Sequence, residues 1–233
     1  MRIIEVVPPS PLQRAIATRN ARNSFESWIK SDSYVVERYD EKVGRIPIDF
    51  VMGEADMSLL CRLAATGGDH GKFARAIPLN YELEVSATFL RHLYTYRSGT
   101  LIQGGETIEP TDVMINATSV MHTAGRREFV VEDFDFTGVA DELAINVVSL
   151  INEQRTRWIE SGMQRGTVEW HGLVNLIAPA YLYRIHLSIN YSVARSIYWG
   201  RRGHKLSDWH VLCESFLDLP AHEIITRPRR TNA

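Results

Sequence analysis

The sequence predicts an α+β protein with an antiparallel sheet in its first 136 residues and a helical second half. Two patterns support this prediction. From Ile77 to Val85, apolar and polar residues alternate, as in a strand that is buried on one face. From about Thr137 to Ser161, apolar residues recur at helical spacing, and Gly162 follows as a stop signal. The 233 residues are 45% hydrophobic and 23% charged, so we expect a single domain over residues 1–233 with a loose tail from residue 218.

The elements of the first half are predicted in the following order. A first strand ends before Pro8. After the strand at 77–85, Ser86 can cap a helix that ends at Gly99. A glycine-rich loop follows at 103–106, and the stretch from Arg127 to Phe136 is predicted to be another strand because it is rich in Phe and Val.

The second half is predicted to be helical throughout. The apolar stripe of the long helix is formed by Val139, Leu143, Val147, Leu150, Ile151 and Trp158. A shorter helix covers about Thr167 to Ile177, and a longer one starts at Pro179 and extends to about Trp199. A last helix covers about Ser207 to Leu217.

Charge and composition exclude several classes of function. Lys and Arg number 26 against 28 Asp and Glu, which gives a net charge of -2 and a pI near 6.5. We therefore expect neither a nucleic-acid polymer nor a membrane surface as a partner. No apolar run approaches the roughly 20 residues of a membrane span, and the first residues lack a signal-peptide core, so a cytoplasmic protein is expected.

Cysteine and histidine patterns narrow the chemistry further. Cys61 and Cys213 lie far apart in apolar, helical segments, which favours buried reduced thiols over a disulfide. The eight histidines form no His-Glu-x-x-His motif and no acid-paired cluster at metal-ligand spacing, so we expect no protein-bound metal. The Gly-x-Ser-x-Gly motif of α/β-hydrolases is also missing from the sequence.

Polar residues on two predicted helices indicate an anion pocket. Arg91 and Thr95 share one helix face, and Arg97 lies near the apolar line of the same helix. On a later helix, the residues that recur at helical spacing are Tyr191, Arg195, Tyr198 and Arg202. Together with the glycine-rich loop, these arginines suit a nucleotide, whereas each arginine alone is more readily explained by a surface salt bridge.

Several spaced motifs follow the pattern of one known family. Ala21-Arg22-Asn23-Ser24-Phe25 matches its Ala-Arg-x-Ser-Phe start, and His70 matches the histidine that leads a His-x-Ser-Pro-Phe-Glu-His stretch. Arg91 and Arg97 match, without a gap, the outer arginines of an Arg-Gln-x-x-Arg-His-Arg helix. The later matches are the stretch 158–163, Pro179, Tyr183, Arg202 and Trp209. Over about residues 15 to 218 the chain therefore resembles the flavin-dependent thymidylate synthases.

The sequence departs from this family where the family holds its ligands. Thr95-Tyr96-Arg97 replaces Arg-His-Arg, and His92 replaces the glutamine before it. The family's acidic-serine loop is replaced by Gln103-Gly104-Gly105, with Glu106 displaced and glycine at the serine position. A serine nucleophile is therefore not expected.

Two further departures concern the second half. Asn190 and Arg195 match a flavin-contacting Asn-x-Arg motif only with a different spacing, and Asn175 stands near the position of a substrate-side arginine. The predicted strands and helices agree with the family better than the ligand residues do. This pattern indicates that the reaction type is kept while the substrate, or the way it is held, has changed.

The resemblance implies a role for each matched residue. Arg202 is the implied catalytic residue, which polarises the uracil carbonyls and stabilises negative charge on the ring. The implied substrate-binding residues are Arg91, His92, Thr95, Gln103, Gly104, Gly105, Glu106, Asn175 and Arg202. The Gln103–Gly105 backbone would hold the nucleotide phosphate. The implied flavin-binding residues are His70, Lys72, Tyr96, Arg97, Asn190 and Arg195.

The implied activity is C5-methylation of a uridine nucleotide, UMP or dUMP. In this family FAD that NADPH has reduced supplies hydride, and 5,10-methylenetetrahydrofolate supplies the carbon, so no cysteine nucleophile is needed. The resemblance also implies a homotetramer whose active sites are shared between chains.

Four assignments remain open at this point. The altered substrate segment favours a UMP/dUMP methylase of a peptidyl-nucleoside (polyoxin-type) antibiotic pathway, with a divergent dUMP-specific thymidylate synthase as an equal alternative. A third assignment is a non-catalytic flavin- or nucleotide-binding homologue, and a fourth is an unrelated α+β interaction protein. Conversion of UMP separates the first from the second, and bound flavin that NADPH bleaches argues for an enzyme.

Overall fold

The computed structural model of the chain describes residues 1–97, 102–103, 106–107, 113–177 and 179–228. The elements up to residue 124 are β1 (Arg2–Val7), α1 (Pro11–Asn20), α2 (Phe25–Trp28), β2 (Tyr34–Asp40), β3 (Gly44–Val51), α3 (Glu54–Thr66), a 3-10 helix (Gly68–Ala76), β4 (Pro78–Ser86), α4 (Ala87–Arg97), β5 (Ile102–Gln103), β6 (Glu106–Thr107), β7 (Met114–Ala117) and α5 (Val120–Ala124). The later elements are a 3-10 turn (Val131–Asp133), α6 (Asp141–Glu160), α7 (Val168–Leu176), β8 (Leu182–Asn190), α8 (Tyr191–Arg201), α9 (Asp208–Ser215), a 3-10 turn (Phe216–Asp218) and α10 (Glu223–Thr226).

The strands form a four-stranded sheet and two short hairpins among the described residues. The four-stranded sheet has the order β1-β4-β8-β7. Strands β2 and β3 pair antiparallel with an irregularity after Val36, and β5 and β6 pair antiparallel with Gln103 opposite Glu106. This mixture of sheets and separate helices confirms the predicted α+β class.

The chain divides into two compact units. The first unit comprises residues 1–4, 82–99 and 115–186, and the second comprises residues 5–81, 100–114 and 187–233. Strands β1, β4 and β8 contribute residues to both units. The single domain expected from the sequence stays a prediction.

The core of the first unit is built where α6 and α7 pack together. Its buried residues are Ala124, Phe129, Phe134, Val148, Ile151, Trp158, Leu173, Ile177 and Tyr181. Three aromatic rings meet there edge-on: the centroid of Tyr181 lies 5.6 Å from that of Phe134 and 6.0 Å from that of Phe129. Such tilted contacts add to the stabilisation that the buried apolar area provides.

The core of the second unit surrounds α8, which packs against α9, α10 and the 3-10 helix Gly68–Ala76. Large side chains fill it, including Leu60, Phe73, Tyr81, Tyr191, Ile197, Trp209, Phe216, Ile224 and Ile225. The hydroxyl of Tyr81 is satisfied inside this core by Ser215 Oγ at 3.0 Å. Within the described ranges, no helix has both the length and the apolar character that crossing a bilayer requires.

Most predicted elements are confirmed. Strand β4 covers Pro78–Ser86, and Ser86 Oγ accepts a hydrogen bond from Phe89 N at 3.2 Å, as expected of the cap of α4. The predicted helices near 167–177 and 207–217 are present as α7 and α9. The long helix is present as α6, but it begins at Asp141 rather than near Thr137.

The predicted strand from Arg127 to Phe136 is wrong. This segment is irregular, with a 3-10 turn at Val131–Asp133 and a single bridge from Phe134 to Tyr181. The reason is that Asn152 on α6 satisfies the backbone of Phe129: its Oδ1 accepts from Phe129 N at 2.8 Å, and its Nδ2 donates to Phe129 O at 2.9 Å. A side-chain amide therefore takes the place of a neighbouring strand.

The predicted helix from Pro179 to Trp199 is also wrong in its first half. Residues Leu182–Asn190 form strand β8, which lies between β4 and β7 in the sheet. The buried residues of β8 alternate at Ile185, Leu187 and Ile189, which is the period of a strand. The helix begins only at Tyr191, where the side chain of Asn190 caps it.

The buried face of α6 differs from the predicted stripe. The side chains that face the core are Ala144, Val148, Ile151, Arg155 and Trp158. Arg155 is accommodated there because its Nε donates to the carbonyl of Ala124 at 2.7 Å. Leu143, Val147 and Leu150, which the prediction placed inside, are exposed by 59%, 36% and 56%. This leaves an exposed apolar stripe on α6, formed by Leu143, Val147 and Leu150, with the exposed Val139 just before the helix.

Candidate functional site

Helix α8 is tied to the C-terminal segment by three donors on one face. Tyr191 Oη donates to the carbonyl of Pro220 at 2.6 Å. Arg195 Nη1 donates to the carbonyls of Ile224 and Ile225 at 2.9 and 3.1 Å, and Trp199 Nε1 donates to that of Ile225 at 3.1 Å. Positions 191, 195 and 199 are spaced by four residues, so their side chains share a face of the helix. We call these three residues the donor ladder.

Arg202 caps the C-terminus of α8, just beyond this ladder. Its side chain is exposed, and its Cζ lies 4.0 Å from the centroid of the Trp199 ring and 5.7 Å from that of Tyr198. A guanidinium over an indole face is attracted by the ring quadrupole, and the carbonyl end of a helix also favours a cation. The positive charge of Arg202 is therefore held in place while it remains accessible to a ligand.

A cleft of about 230 Å³ adjoins Arg202. It is lined by Tyr198, Arg202, His210, Cys213, Glu214 and Leu217. The ring of His210 is fixed because its Nε2 donates to the carbonyl of His204 at 2.7 Å. Burial raises the pKa of Cys213 to about 11, and burial likewise raises the pKa of Cys61. Both cysteines are buried free thiols, as the sequence predicted, and remain protonated at neutral pH.

Two predicted flavin ligands of the second unit have partners within the chain. Asn190 is buried, and its Oδ1 accepts from Val193 N at 3.0 Å as the cap of α8. Arg195, which is 7% exposed, belongs to the donor ladder. Asn190 and Arg202 are separated by about 18 Å along the helix axis, so one chain cannot present both to one small group. The flavin-binding roles of Asn190 and Arg195 stay predictions.

The other two predicted flavin ligands of this unit, His70 and Lys72, lie on the 3-10 helix Gly68–Ala76 that packs against α8. Both side chains are exposed. Lys72 Nζ forms an ion pair with Asp69 at 2.7 Å. An exposed pair of this kind contributes little, so an anionic ligand can compete for the lysine.

Most of the predicted substrate and flavin residues of the first unit lie on α4. Arg91 and Thr95 are exposed on one face, as their spacing predicted, while His92 and Tyr96 are half-buried on the adjacent face. Thr95 Oγ1 donates to the carbonyl of His92 at 2.7 Å. Arg91 also acts on Tyr183: burial raises the pKa of this tyrosine, and the nearby guanidinium opposes the rise.

The remaining predicted residues lie on α7, on β5 and β6, or outside the described residues. Asn175 is exposed on α7. Gln103 and Glu106 have described backbones, which pair across β5 and β6. Gly104, Gly105 and the side chain of Arg97 lie outside the described residues.

A second cleft, of about 230 Å³, is lined by Trp28 and by four residues of the motif that opens the family resemblance, Arg22, Asn23, Ser24 and Phe25. Phe25 and Trp28 flank it, with exposed fractions of 75% and 50%. Arg22, which also lines it, is buried and donates through Nε to Asp56 at 2.6 Å. Two aromatic faces beside a fixed cation can hold a planar ring. The sequence matched this motif to the family but indicated no function for it. No sequence pattern pointed to a functional role for Trp28 or Trp199.

These features define an α+β protein in which an exposed arginine is fixed beside a cleft. No protein-family model matches the sequence, and no curated protein matches it. Solved structures do match over nearly the whole chain. Thymidylate Synthase X (ThyX) from Helicobacter pylori, with FAD and dUMP, matches with a TM-score of 0.64 at 16% identity, over 96% of this chain and 98% of that one.

The UMP/dUMP methylase PolB from Streptomyces cacaoi, bound with 5-Br dUMP, matches with a TM-score of 0.57 at 15% identity, over 100% of this chain and 96% of that one. A second structure of ThyX, described as a flavin-dependent thymidylate synthase, matches with a TM-score of 0.62 at 15% identity, over 96% of this chain and 98% of that one. The chain therefore has the fold of the flavin-dependent thymidylate synthases, and the resemblance seen in the sequence is confirmed at the level of the fold.

Proposed function

We propose that the chain is a cytoplasmic, flavin-dependent enzyme that methylates C5 of a uridine nucleotide, UMP or dUMP, in nucleoside-antibiotic biosynthesis. Methylenetetrahydrofolate is the carbon donor, and bound FAD, kept reduced by NADPH, supplies hydride. The fold is shared with ThyX bound to FAD and dUMP and with a UMP/dUMP methylase, which supports this assignment.

The observation that carries the proposal is the placement of Arg202. Its guanidinium is exposed at the end of α8, backed by the Trp199 ring at 4.0 Å, beside the cleft of about 230 Å³. Negative charge that develops on a uracil ring during methylation at C5 requires such a fixed cation or donor. Arg202 would bind a ring carbonyl oxygen and stabilise this charge.

The two thiols support a route without a cysteine nucleophile. With a pKa of about 11, Cys213 is a thiolate in only about one molecule in 10⁴ at pH 7. Cys61 is buried and its pKa is raised as well. Neither cysteine can readily start a reaction by adding to C6 of the base, which is the step that flavin chemistry makes unnecessary.

The described residues fit an anionic flavin cofactor in part. His70 and Lys72 are exposed and can reach a phosphate, and the cleft flanked by Phe25 and Trp28 can accept a planar ring. Tyr96 lies half-buried on α4. We therefore assign the hold on the flavin first to the four residues of the second unit, Phe25, Trp28, His70 and Lys72, and the role of Tyr96 stays a separate prediction.

Turnover tests the proposed function directly. The enzyme is incubated with FAD, NADPH, methylenetetrahydrofolate and either UMP or dUMP, and we expect a 5-methylated product from UMP. Conversion of dUMP alone would replace the antibiotic-pathway assignment by that of a dUMP-specific thymidylate synthase. Protein that binds one FAD per chain but forms no product would be a non-catalytic homologue. Colourless protein that takes up no FAD would contradict every flavin-based assignment.

We further propose a homotetramer, supported by the exposed apolar stripe on α6. Leu143 and Leu150 are more than half exposed, and an apolar stripe of this kind on a helix surface is characteristic of an interface. The double change Leu143→Glu and Val147→Glu is expected to lower the mass measured by light scattering from four chains to two or one. The control, Ser149→Glu with Thr156→Glu, adds the same charge outside the stripe and should leave four chains. Unchanged mass in the stripe variant would assign the interface elsewhere.

A further inference from the structure

Trp199 has a fixed position between two neighbours. One face of its ring lies under Arg202, with the guanidinium carbon 4.0 Å from the ring centroid. Its Nε1 donates to the carbonyl of Ile225 at 3.1 Å. Rotation of the indole about its side-chain bonds would break this hydrogen bond and remove the ring from the guanidinium.

The acceptor of this hydrogen bond is itself held. Arg195, 7% exposed, donates from Nη1 to the carbonyls of Ile224 and Ile225 at 2.9 and 3.1 Å. The side chains of Ile224 and Ile225 are fully buried in the core of the second unit. The short helix α10 is thus held both by its buried side chains and by the hydrogen bonds from Arg195. Its carbonyl at Ile225 in turn fixes the edge of the Trp199 ring.

An exposed arginine at a helix end ordinarily samples many rotamers, because nothing packs against its long side chain. Tyr198 restrains Arg202 less than Trp199 does, since its ring centroid lies 5.7 Å from the guanidinium carbon. The Trp199 ring is closer and offers the aromatic face that binds cations best. Catalysis by a charged group depends on its being held in place before the reaction begins.

We propose that Trp199 is a positioning residue for Arg202, and that α10 sets its orientation through the carbonyl of Ile225. This inference rests on the proposed function, because it takes Arg202 to be the residue that acts on the base. It also gives Arg195 a role in the site other than contact with flavin: Arg195 holds the acceptor that orients Trp199.

The test compares Trp199→Phe with Trp199→Met. Phenylalanine keeps an aromatic face but loses the hydrogen bond to Ile225, and should lower kcat about three-fold, whereas methionine keeps neither the ring nor the donor and should lower kcat about ten-fold or more. KM for methylenetetrahydrofolate and the FAD content should stay unchanged in both variants. Equal melting temperatures show that both variants fold, and Trp199→Leu replaces the methionine variant if that one does not.

Crystal structures of the two variants give a second readout that does not depend on turnover. We expect the Arg202 guanidinium over the ring in the wild type and in Trp199→Phe, and displaced or spread over several rotamers in Trp199→Met. Wild-type kcat in Trp199→Met would overturn the inference and leave the proposed function intact. If the wild type converts neither nucleotide, the proposed function fails. Independently of turnover, an Arg202 guanidinium that keeps its position in the Trp199→Met crystal structure would overturn the inference.

Discussion

Replacing Arg202 by alanine is expected to lower kcat about 10²–10³-fold, the loss that accompanies removal of one group stabilising charge in a transition state. The reason is that Arg202 supplies an exposed, fixed positive charge beside the cleft that Tyr198 and His210 line. Lysine at position 202 should restore only part of the rate, because it keeps the charge but not the planar pair of donors. Steady-state kinetics with UMP and dUMP measure both effects.

The neighbouring arginine provides the matched control. Arg201 lies one residue earlier on α8, and its guanidinium carbon is 5.2 Å from the centroid of the buried Trp209 ring. Arg201→Ala removes the same charge from the same end of the helix and should change kcat by only a few-fold. Equal losses in the two variants would show that the general field of the helix end matters, rather than the position of Arg202.

The largest effect on stability is expected at the ion pair of Arg22 and Asp56. Asp56 is fully buried and accepts from Arg22 Nε at 2.6 Å and from Ser31 Oγ at 2.5 Å. Arg22 also donates to the carbonyls of Ser27 and Lys30 at 2.6 and 3.3 Å, so that it joins the segment after α1 to α3. Asp56→Ala leaves the arginine buried and unpaired, and should lower the free energy of unfolding by about 3–5 kcal/mol. Urea unfolding measures the loss.

The same pair predicts a pH dependence. Burial alone would raise the pKa of Asp56, but hydrogen bonds from Ser31, Ser33 and Arg22, with the charge of Arg22, lower it below its ordinary value. The stabilisation is therefore complete above the unfolded pKa of about 3.9 and is lost as the pH falls through the lower folded pKa. Asp56→Asn should remove this part of the acid sensitivity.

An exposed pair in the same unit provides the comparison. Arg14 Nη2 and Asp49 lie 3.1 Å apart, and the aspartate side chain is 61% exposed. Because solvent screens this pair, Asp49→Ala should cost less than about 1 kcal/mol. A loss at Asp49 as large as that at Asp56 would contradict the assignment of the effect to burial.

The sequence predicted elements well where one period dominates and failed where two periods share residues. The strand near 77–85 has one clear alternation, and the structure places it at Pro78–Ser86. Around β8, Ile185 and Ile189 fit a helix at a spacing of four, while the same residues with Leu187 fit a strand at a spacing of two. Only the partner strands β4 and β7 decide between these patterns, and pairing between distant segments cannot be read from one sequence.

The sequence indicated which residue types contribute to the candidate site, but not how these residues are arranged in space. Helical spacing correctly placed Arg195 on one helix, with Arg202 as the C-terminal cap of that helix, and Arg91 with Thr95 on another. It could not show that Arg195 points into the core, because its acceptors are the carbonyls of Ile224 and Ile225, about 30 residues further along. Backbone carbonyls carry no residue-specific signal, so the donor ladder and the role of Trp199 depend on tertiary structure.

Asn152 has a consequence beyond the local geometry of Phe129. The stretch Phe129-Val130-Val131 has the side chains of a strand, and such a stretch with open backbone groups can pair with the edge of another molecule. The amide of Asn152 occupies both the donor and the acceptor of Phe129. In the folded chain, the backbone N–H and carbonyl of Phe129 are therefore not open to a strand of another molecule.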